Sequence, residues 1–357
     1  MRTSIKPSLA GYVALAYTLV IAYASAQPFS GWRMPPPEVL AFLTAPWPRY
    51  MTATDISLNV AAYLPLGAML FFALRPPLSA ASAFVLASLL GALLSLLLES
   101  MQMFLPARIA SNVDVMTNTA GAALGAMSAL LLTAWDNPLA QLRARRVRPG
   151  PLGDCGLIVI LLWIVIQFHP SSVTFGSGNL RDVFGIAPQF LHSSQAYLLG
   201  EAGIVALTAI AIGLVISLIL QSRRDFWRVM AGILLLTAAA KSIAAVTITR
   251  TANPLQWLTP GVAAGLAVGA TGVWLLMRAA PTMRAIAAIA CVVGVITIIN
   301  VMPDNPYQTV PAFLSSLPPT HLANFSSIVR VLSQCWPFGA LALLFALLRA
   351  APTRLAR

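Results

Sequence analysis

Long apolar runs, broken by proline, glycine or clustered charge, recur along the whole chain. A helix that crosses a bilayer needs about 20 mostly apolar residues. Ten stretches approach or reach that length, near 9–26, 56–74, 79–104, 112–134, 155–168, 195–220, 226–250, 255–277, 285–302 and 324–348. The fifth is the weakest, because Cys155 to Phe168 is short. The pattern predicts an all-α polytopic membrane protein with about ten transmembrane helices. Expected divisions are a four-helix unit at 1–135, an Arg-rich cytoplasmic loop at 136–153 and a six-helix region at 154–357. The first run, with Arg2 and Lys6 before it and Ala24-Ser25-Ala26 after it, also fits a secretory signal with an A-x-A site. Its length favours a retained helix.

Within these runs the polar residues are the informative ones. A central Asp, Lys or Arg in a spanning helix costs at least about 2.5 kcal/mol on insertion scales, so such groups face partners or a wet cavity. Asp55, Asn59 and Tyr63 recur at i, i+4, i+8 and form one stripe, with Pro65 expected to bend the helix below them. Glu99 and Gln102 share a face at i, i+3. Asp114 and Asn118 are again i, i+4, on a stripe that continues into Gly121 and Gly125. The GxxxG formed by those two glycines permits close helix approach, which would bring neighbouring polar stripes together.

Charge placement adds an orientation. The net charge of +12 and a pI near 10.6 would suggest nucleic acid in a soluble chain. Composition excludes that class, along with soluble enzymes, coiled coils and disordered chains: 59% of residues are hydrophobic, 9% are charged and the mean hydropathy is +0.82. With the N-terminus inside, fifteen basic residues fall in cytoplasmic segments: Arg2, Lys6, Arg75, Arg143, Arg145, Arg146, Arg148, Arg223, Arg224, Arg228, Arg278, Arg284, Arg349, Arg354 and Arg357. Five fall outside (Arg33, Arg49, Arg108, Arg181 and Arg250), and Lys241 and Arg330 lie within helices. The positive-inside rule therefore predicts N-in, C-in. Against the fifteen stand Asp136, Asp154 and Asp225, so the excess charge is an orientation signal, and no nucleic-acid partner is expected.

In this topology Asp55, Glu99, Gln102, Arg108 and Asp114 all lie near the external face. Three carboxylates so close repel one another, and Arg108 is their natural counter-ion; a partly desolvated guanidinium also holds a phosphate or carboxylate in bidentate fashion. The expected ligand-binding set is Asp55, Asn59, Tyr63, Glu99, Gln102, Arg108, Asp114 and Asn118, with Gly121 and Gly125 in helix packing. Mutual satisfaction of these groups as a packing layer is the competing reading. The outer loop 27–54, with Pro35-Pro36-Pro37, Trp32, Trp47 and Tyr50, is either an interfacial connector or a lid.

Asp55-x3-Asn59-x3-Tyr63-Leu-Pro65-Leu-Gly67, then Glu99-x2-Gln102-x3-Pro106-x-Arg108, then Asp114-x3-Asn118-x2-Gly121-x3-Gly125 resembles the VanZ-like family of bacterial membrane proteins over about 55–130. The combination is far more specific than any of its parts. Many members carry histidine where Asn59 stands, which puts a proton-carrying imidazole at that position in question. The resemblance implies a multi-pass protein of the bacterial inner membrane and cell envelope, in a family named for its association with teicoplanin resistance. It implies no defined reaction and does not extend to 155–357.

Other chemistry finds little support. Cys155, Cys291 and Cys335 form no disulfide framework or CxxC pair. His169, His192 and His321 fall in outer loops without ligand spacing, so no metal and no cofactor are expected. There is no G-x-S-x-G or Walker loop. Glu201, Lys241 and Arg330 are expected to pair with a carboxylate or a backbone carbonyl, or else to form a second outward anion site.

Overall fold

The computed structural model describes residues 9–26, 29, 31–35, 37–47, 52–75, 78–134, 138–168, 173–185, 194–247, 251–302 and 321–350. They are almost wholly helical: α1 (Leu9–Ala26), α2 (Ala53–Leu74), α3 (Ala80–Gln102), α4 (Asn112–Ala134), α5 (Pro138–Arg146), α6 (Pro151–Ile166), α7 (Arg181–Phe184), α8 (Ser194–Ile219), α9 (Phe226–Thr247), α10 (Pro260–Leu276), α11 (Pro281–Val301) and α12 (His321–Arg349). Each of the ten expected stretches overlaps one of these helices. Among the described residues seven helices are long and apolar enough to cross a membrane; Ala10–Ala26, Pro151–Ile166 and Pro260–Leu276 are apolar but shorter.

Boundaries follow local chemistry. Proline opens α6, α10 and α11, where its fixed φ suits the first turn and its missing N–H costs nothing. The run expected at 255–277 loses its first residues to a turn between Pro254 and Pro260. The ninth run starts at Pro281 rather than 285, which draws Arg284 into a helix. The stretch expected as a loop at 136–153 contains α5 and the start of α6.

The chain divides into two compact units, Met1–Gln141 with Leu317–Ile328, and Leu142–Ser316 with Val329–Arg357. In the first, α2 packs on α4 along a seam of small residues. A Cβ on Gly67 would overlap the Ala122 carbonyl, one on Gly125 the Leu64 carbonyl, and one on Gly121 would lie 2.5 Å from the Val60 carbonyl oxygen. Backbones thus meet directly, as small-residue motifs allow in lipid-facing helices. Pro65 lies inside α2. The Tyr17 hydroxyl of α1 donates to the Ala62 carbonyl at 3.0 Å, docking α1 on α2 just before that proline. Phe71, Ala83, Ala87, Ala126 and Ala129 close the far end.

In the second unit α8 is central, with α10 and α11 against it. Gly265 and Gly269 let α10 approach Ala202, Val205, Ala206 and Ala209. A non-helical strap, 173–180, is buried from Thr174 to Gly178. Non-helical backbone in a membrane protein must be satisfied by protein or cavity, and here it is. The Phe175 N–H donates to Gln167 Oε1 (3.1 Å), Trp163 Nε1 to the Phe175 carbonyl (3.3 Å), Gly178 N–H to the Ser333 carbonyl (2.8 Å) and Leu180 N–H to Asn300 Oδ1 (2.8 Å). Gly178 has φ +86°, a region that favours glycine. Arg181, expected only as a loop charge, is buried and donates through Nε and Nη2 to the Ile299 carbonyl at the end of α11.

Candidate functional site

Seven of the eight expected site residues, all but Arg108, are buried, and none is more than 7% exposed. They form layers at one end of unit 1, where α1 and α3 finish and α2 and α4 begin. In the outermost layer Thr52 and Asp55 make a reciprocal capping box. The Thr52 N–H and hydroxyl donate to Asp55 Oδ2 at 3.0 and 2.7 Å, and the Asp55 N–H donates to Thr52 Oγ1 at 3.2 Å. That satisfies the first turn of α2. Asp55 is turned to its own helix start.

The next layer converges on the start of α4. Glu99 Oε2 accepts from the Ser111 N–H at 3.0 Å, and Ser111 Oγ accepts from the Val113 N–H at 3.2 Å. Asn59 Nδ2 donates to Asp114 Oδ1 at 3.1 Å and to Thr117 Oγ1 at 3.2 Å. Glu99 and Asp114 lie within electrostatic range of each other. Both carboxyl groups lie at the start of α4, whose partial positive charge and unpaired N–H groups favour oxygen acceptors.

Below lies a neutral layer. Asn118 Nδ2 donates to Ser95 Oγ at 2.9 Å, and the Tyr63 hydroxyl faces the same serine. Asn118 Oδ1 is enclosed and has no hydrogen-bond partner among the described residues. Gly121 follows at once, so the close approach of α2 and α4 begins where the polar stripe ends.

Above the carboxylate layer opens a cavity of about 350 Å³, lined by Arg33, Ala41, Phe42, Ala45, Gln102, Met103, Arg108, Ile109 and Ala110. One wall is the chain before α2. Its Arg33 N–H donates to the Phe104 carbonyl (2.9 Å), Asn112 Nδ2 donates to the Ala45 carbonyl (2.8 Å), and Phe42 is buried beneath a short 3-10 turn, Ala41–Leu43. Arg108 Nη2 donates to the Ala24 carbonyl at 3.2 Å, at the end of α1. Burial pulls the Arg108 guanidinium below its ordinary pKa, and the Glu99 charge opposes that shift; an arginine stays protonated throughout. The cavity lining therefore combines two arginines, an amide residue and apolar residues.

The fold brings Asn59, Glu99 and Asp114 together at the start of α4, with Arg108 in the turn before it, while Asp55 is bonded to Thr52. Ser95 and Thr52 were not among the expected residues. Yet Ser95, Glu99 and Gln102 share one α3 face at i, i+4, i+7, and the T-x-x-D spacing of Thr52 to Asp55 is a capping-box signal. Arg33 had no local signal, because only the folding of the preceding loop brings it to Arg108.

Elsewhere, Glu201 accepts from the Thr259 hydroxyl, which also caps α10 through the Val262 N–H at 3.1 Å. Lys241 is buried in α9, and Arg330 is exposed. His169, His192 and the His321 side chain lie outside the described residues. Among the described residues no cluster could hold a metal, and the three cysteines are free.

These layers place Asp-Asn-Tyr on α2, Glu-Gln on α3, Arg108 in the turn before α4 and Asp-Asn on α4. Residues 10–133 match the VanZ/LLP1 family. The VanZ-like segment spans α1 through α4 and contains the cavity and every layer beneath it. No curated protein and no solved structure matches the chain.

The VanZ-like layers make a stability prediction. Asn59→Leu removes a buried donor to Asp114 and costs about 1–3 kcal/mol, read as a lower thermal unfolding midpoint. Asn59→His keeps an N–H donor and stays nearer wild type. Equal midpoints for wild type and Asn59→Leu would show that the contact carries no weight.

Proposed function

We propose that the VanZ-like unit binds an anionic, lipid-linked or cell-wall ligand at the outer face of a bacterial inner membrane. The observation that carries this is a cavity whose lining includes both Arg33 and Arg108 beside Gln102, Phe42, Met103 and Ile109. Two arginines in one lining suit a phosphate or carboxylate, since charge-assisted hydrogen bonds are about twice as strong as neutral ones. The apolar wall suits the first carbons of a lipid. Asn59, Tyr63, Glu99, Asp114 and Asn118 support this chamber from below, and Asp55 fixes the start of α2. The whole chain is read as about ten spans, N-in and C-in, with 1–135 as the VanZ-like unit, 136–153 on the cytoplasmic side and 154–357 as a second helical region. In the envelope such binding would connect to glycopeptide (teicoplanin) resistance.

Two other readings have their own observations. Glu99 and Asp114, close together beneath the cavity floor, could perform acid–base work on a polyprenyl-phosphate-type substrate. The capping box at Asp55 and the Asn59–Asp114 bond favour a scaffold whose polar layer only packs helices.

Labelling separates the three. With Cys155, Cys291 and Cys335 replaced and Ala45→Cys introduced, an aqueous maleimide should react at the cavity mouth. A polyprenyl monophosphate should slow that reaction and the corresponding polyprenyl alcohol should not. Release of inorganic phosphate during the assay would favour the enzyme, and equal protection by alcohol and phosphate would contradict the anion site.

A further inference from the structure

The end of unit 2 opposite the buried strap gathers the ends of α5, α8 and α10 and the starts of α6, α9 and α11. The Arg148 N–H donates to the Ile219 carbonyl and the Gln221 N–H to the Arg146 carbonyl, joining α5 to the end of α8. Arg223 Nη1 donates to the Met277 carbonyl (3.0 Å), just beyond α10. Arg284, in the first turn of α11, donates through Nη1 to Ser217 Oγ (2.9 Å) and to the Ser217 carbonyl (3.3 Å).

Arg284 is the unusual member. It is 4% exposed, and its Nε is enclosed without an acceptor among the described residues. The charged neighbour whose field it feels is Arg223, a like charge. The described acids at this end are engaged elsewhere: Asp154 with Arg143, and Asp225 with Arg146 (3.7 Å) and Arg228 (3.9 Å). A helix N-terminus also repels a cation. Capping the last carbonyls of α8 explains Nη1 but leaves Nε and the charge uncompensated among the described residues, and a buried uncompensated charge is strongly destabilising.

We propose that this end of unit 2 holds the phosphate of an anionic phospholipid headgroup, with Arg284 and Arg223 as its cationic ligands and Arg278 at the rim. A phosphodiester supplies the missing negative charge and several acceptors. Arg278 lies 3.7 Å over the Trp274 ring, and Trp274, Leu275, Met283 and Ile286 are all exposed, an apolar border along which acyl chains run. Basic pockets between helix ends are a recurring headgroup site on the cytoplasmic side, the side to which positive-inside counting assigns these loops.

The test uses the full chain in neutral detergent, with phosphatidylglycerol, phosphatidylcholine or inorganic phosphate added, read by native mass spectrometry and by unfolding midpoint. Wild type should retain phosphatidylglycerol about tenfold more tightly than phosphatidylcholine, the scale of one charge-assisted contact. Arg284→Gln and Arg223→Gln should each erase that preference. Arg228→Gln, at the same end with its side chain 85% exposed, should keep it. Should Arg284→Gln fail to fold, the exposed Arg223 decides alone. Equal retention of both lipids, or equal loss in Arg228→Gln and Arg223→Gln, would overturn the site. Displacement of the lipid by inorganic phosphate would assign the cluster to a free anion and overturn the lipid assignment.

Discussion

Gly125→Val is expected to prevent unit 1 from folding. The added Cβ overlaps the Leu64 carbonyl and approaches the Ala68 nitrogen at 3.0 Å. Both are backbone atoms on α2, so no rotamer change relieves the clash; the helices must separate, and the carboxylate layer separates with them. Overpacking in a core costs about 1–3 kcal/mol when side chains can shift, and here they cannot. The variant should accumulate poorly or unfold at a much lower temperature. Gly232→Val, in α9, adds the same bulk where a Cβ meets nothing within 4 Å, and should behave like wild type apart from helix propensity. Equal stability of the two variants would show that the α2–α4 seam is not built on backbone approach.

That seam was legible in the sequence only as a spacing. Gly121-x3-Gly125 is common in chains so rich in small residues, and it gained meaning because Asn118 lies one turn before it. The apolar runs fixed the positions of the helices well, since lipid imposes a length that composition reveals. Proline and glycine then set boundaries that run-finding cannot see, at Pro260 and Pro281. Buried polar side chains on α2, α3 and α4 were legible because they break an otherwise apolar pattern at helical periodicity. Their partners were not equally visible. Asp55 goes to Thr52, a neighbour in sequence, whereas Arg33 reaches the cavity through a turn that carries no periodic signal. Arg181 and Arg284 were assigned to loops because the apolar runs stop short of them; both are buried and cap helix C-termini.

Arg108→Gln should have the largest functional effect, because that side chain has two tasks. It donates to the Ala24 carbonyl, holding the end of α1, and it lines the cavity. Its loss should weaken binding of an anionic amphiphile by about tenfold to a hundredfold, as expected for a hydrogen bond to a charged group, and should lower the unfolding midpoint. Arg33→Gln separates the tasks. Arg33 is tied to the fold by its backbone N–H on the Phe104 carbonyl, so the glutamine variant should lose affinity with little loss of stability. If Arg33→Gln bound as tightly as wild type while Arg108→Gln lost both properties, Arg108 would be a structural cap and the cavity no anion site. Raising ionic strength should weaken wild-type binding more than that of either variant, since an exposed cation loses its pull as salt screens it.

The most direct measurement is a titration of the full-length protein in nanodiscs with a polyprenyl monophosphate and with the uncharged polyprenyl alcohol, on wild type and on the Arg33→Gln/Arg108→Gln double variant. The account predicts that wild type binds the phosphate well above the alcohol and that the double variant treats the two alike. Equal affinity of wild type for phosphate and alcohol, or an undiminished preference in the double variant, would contradict it.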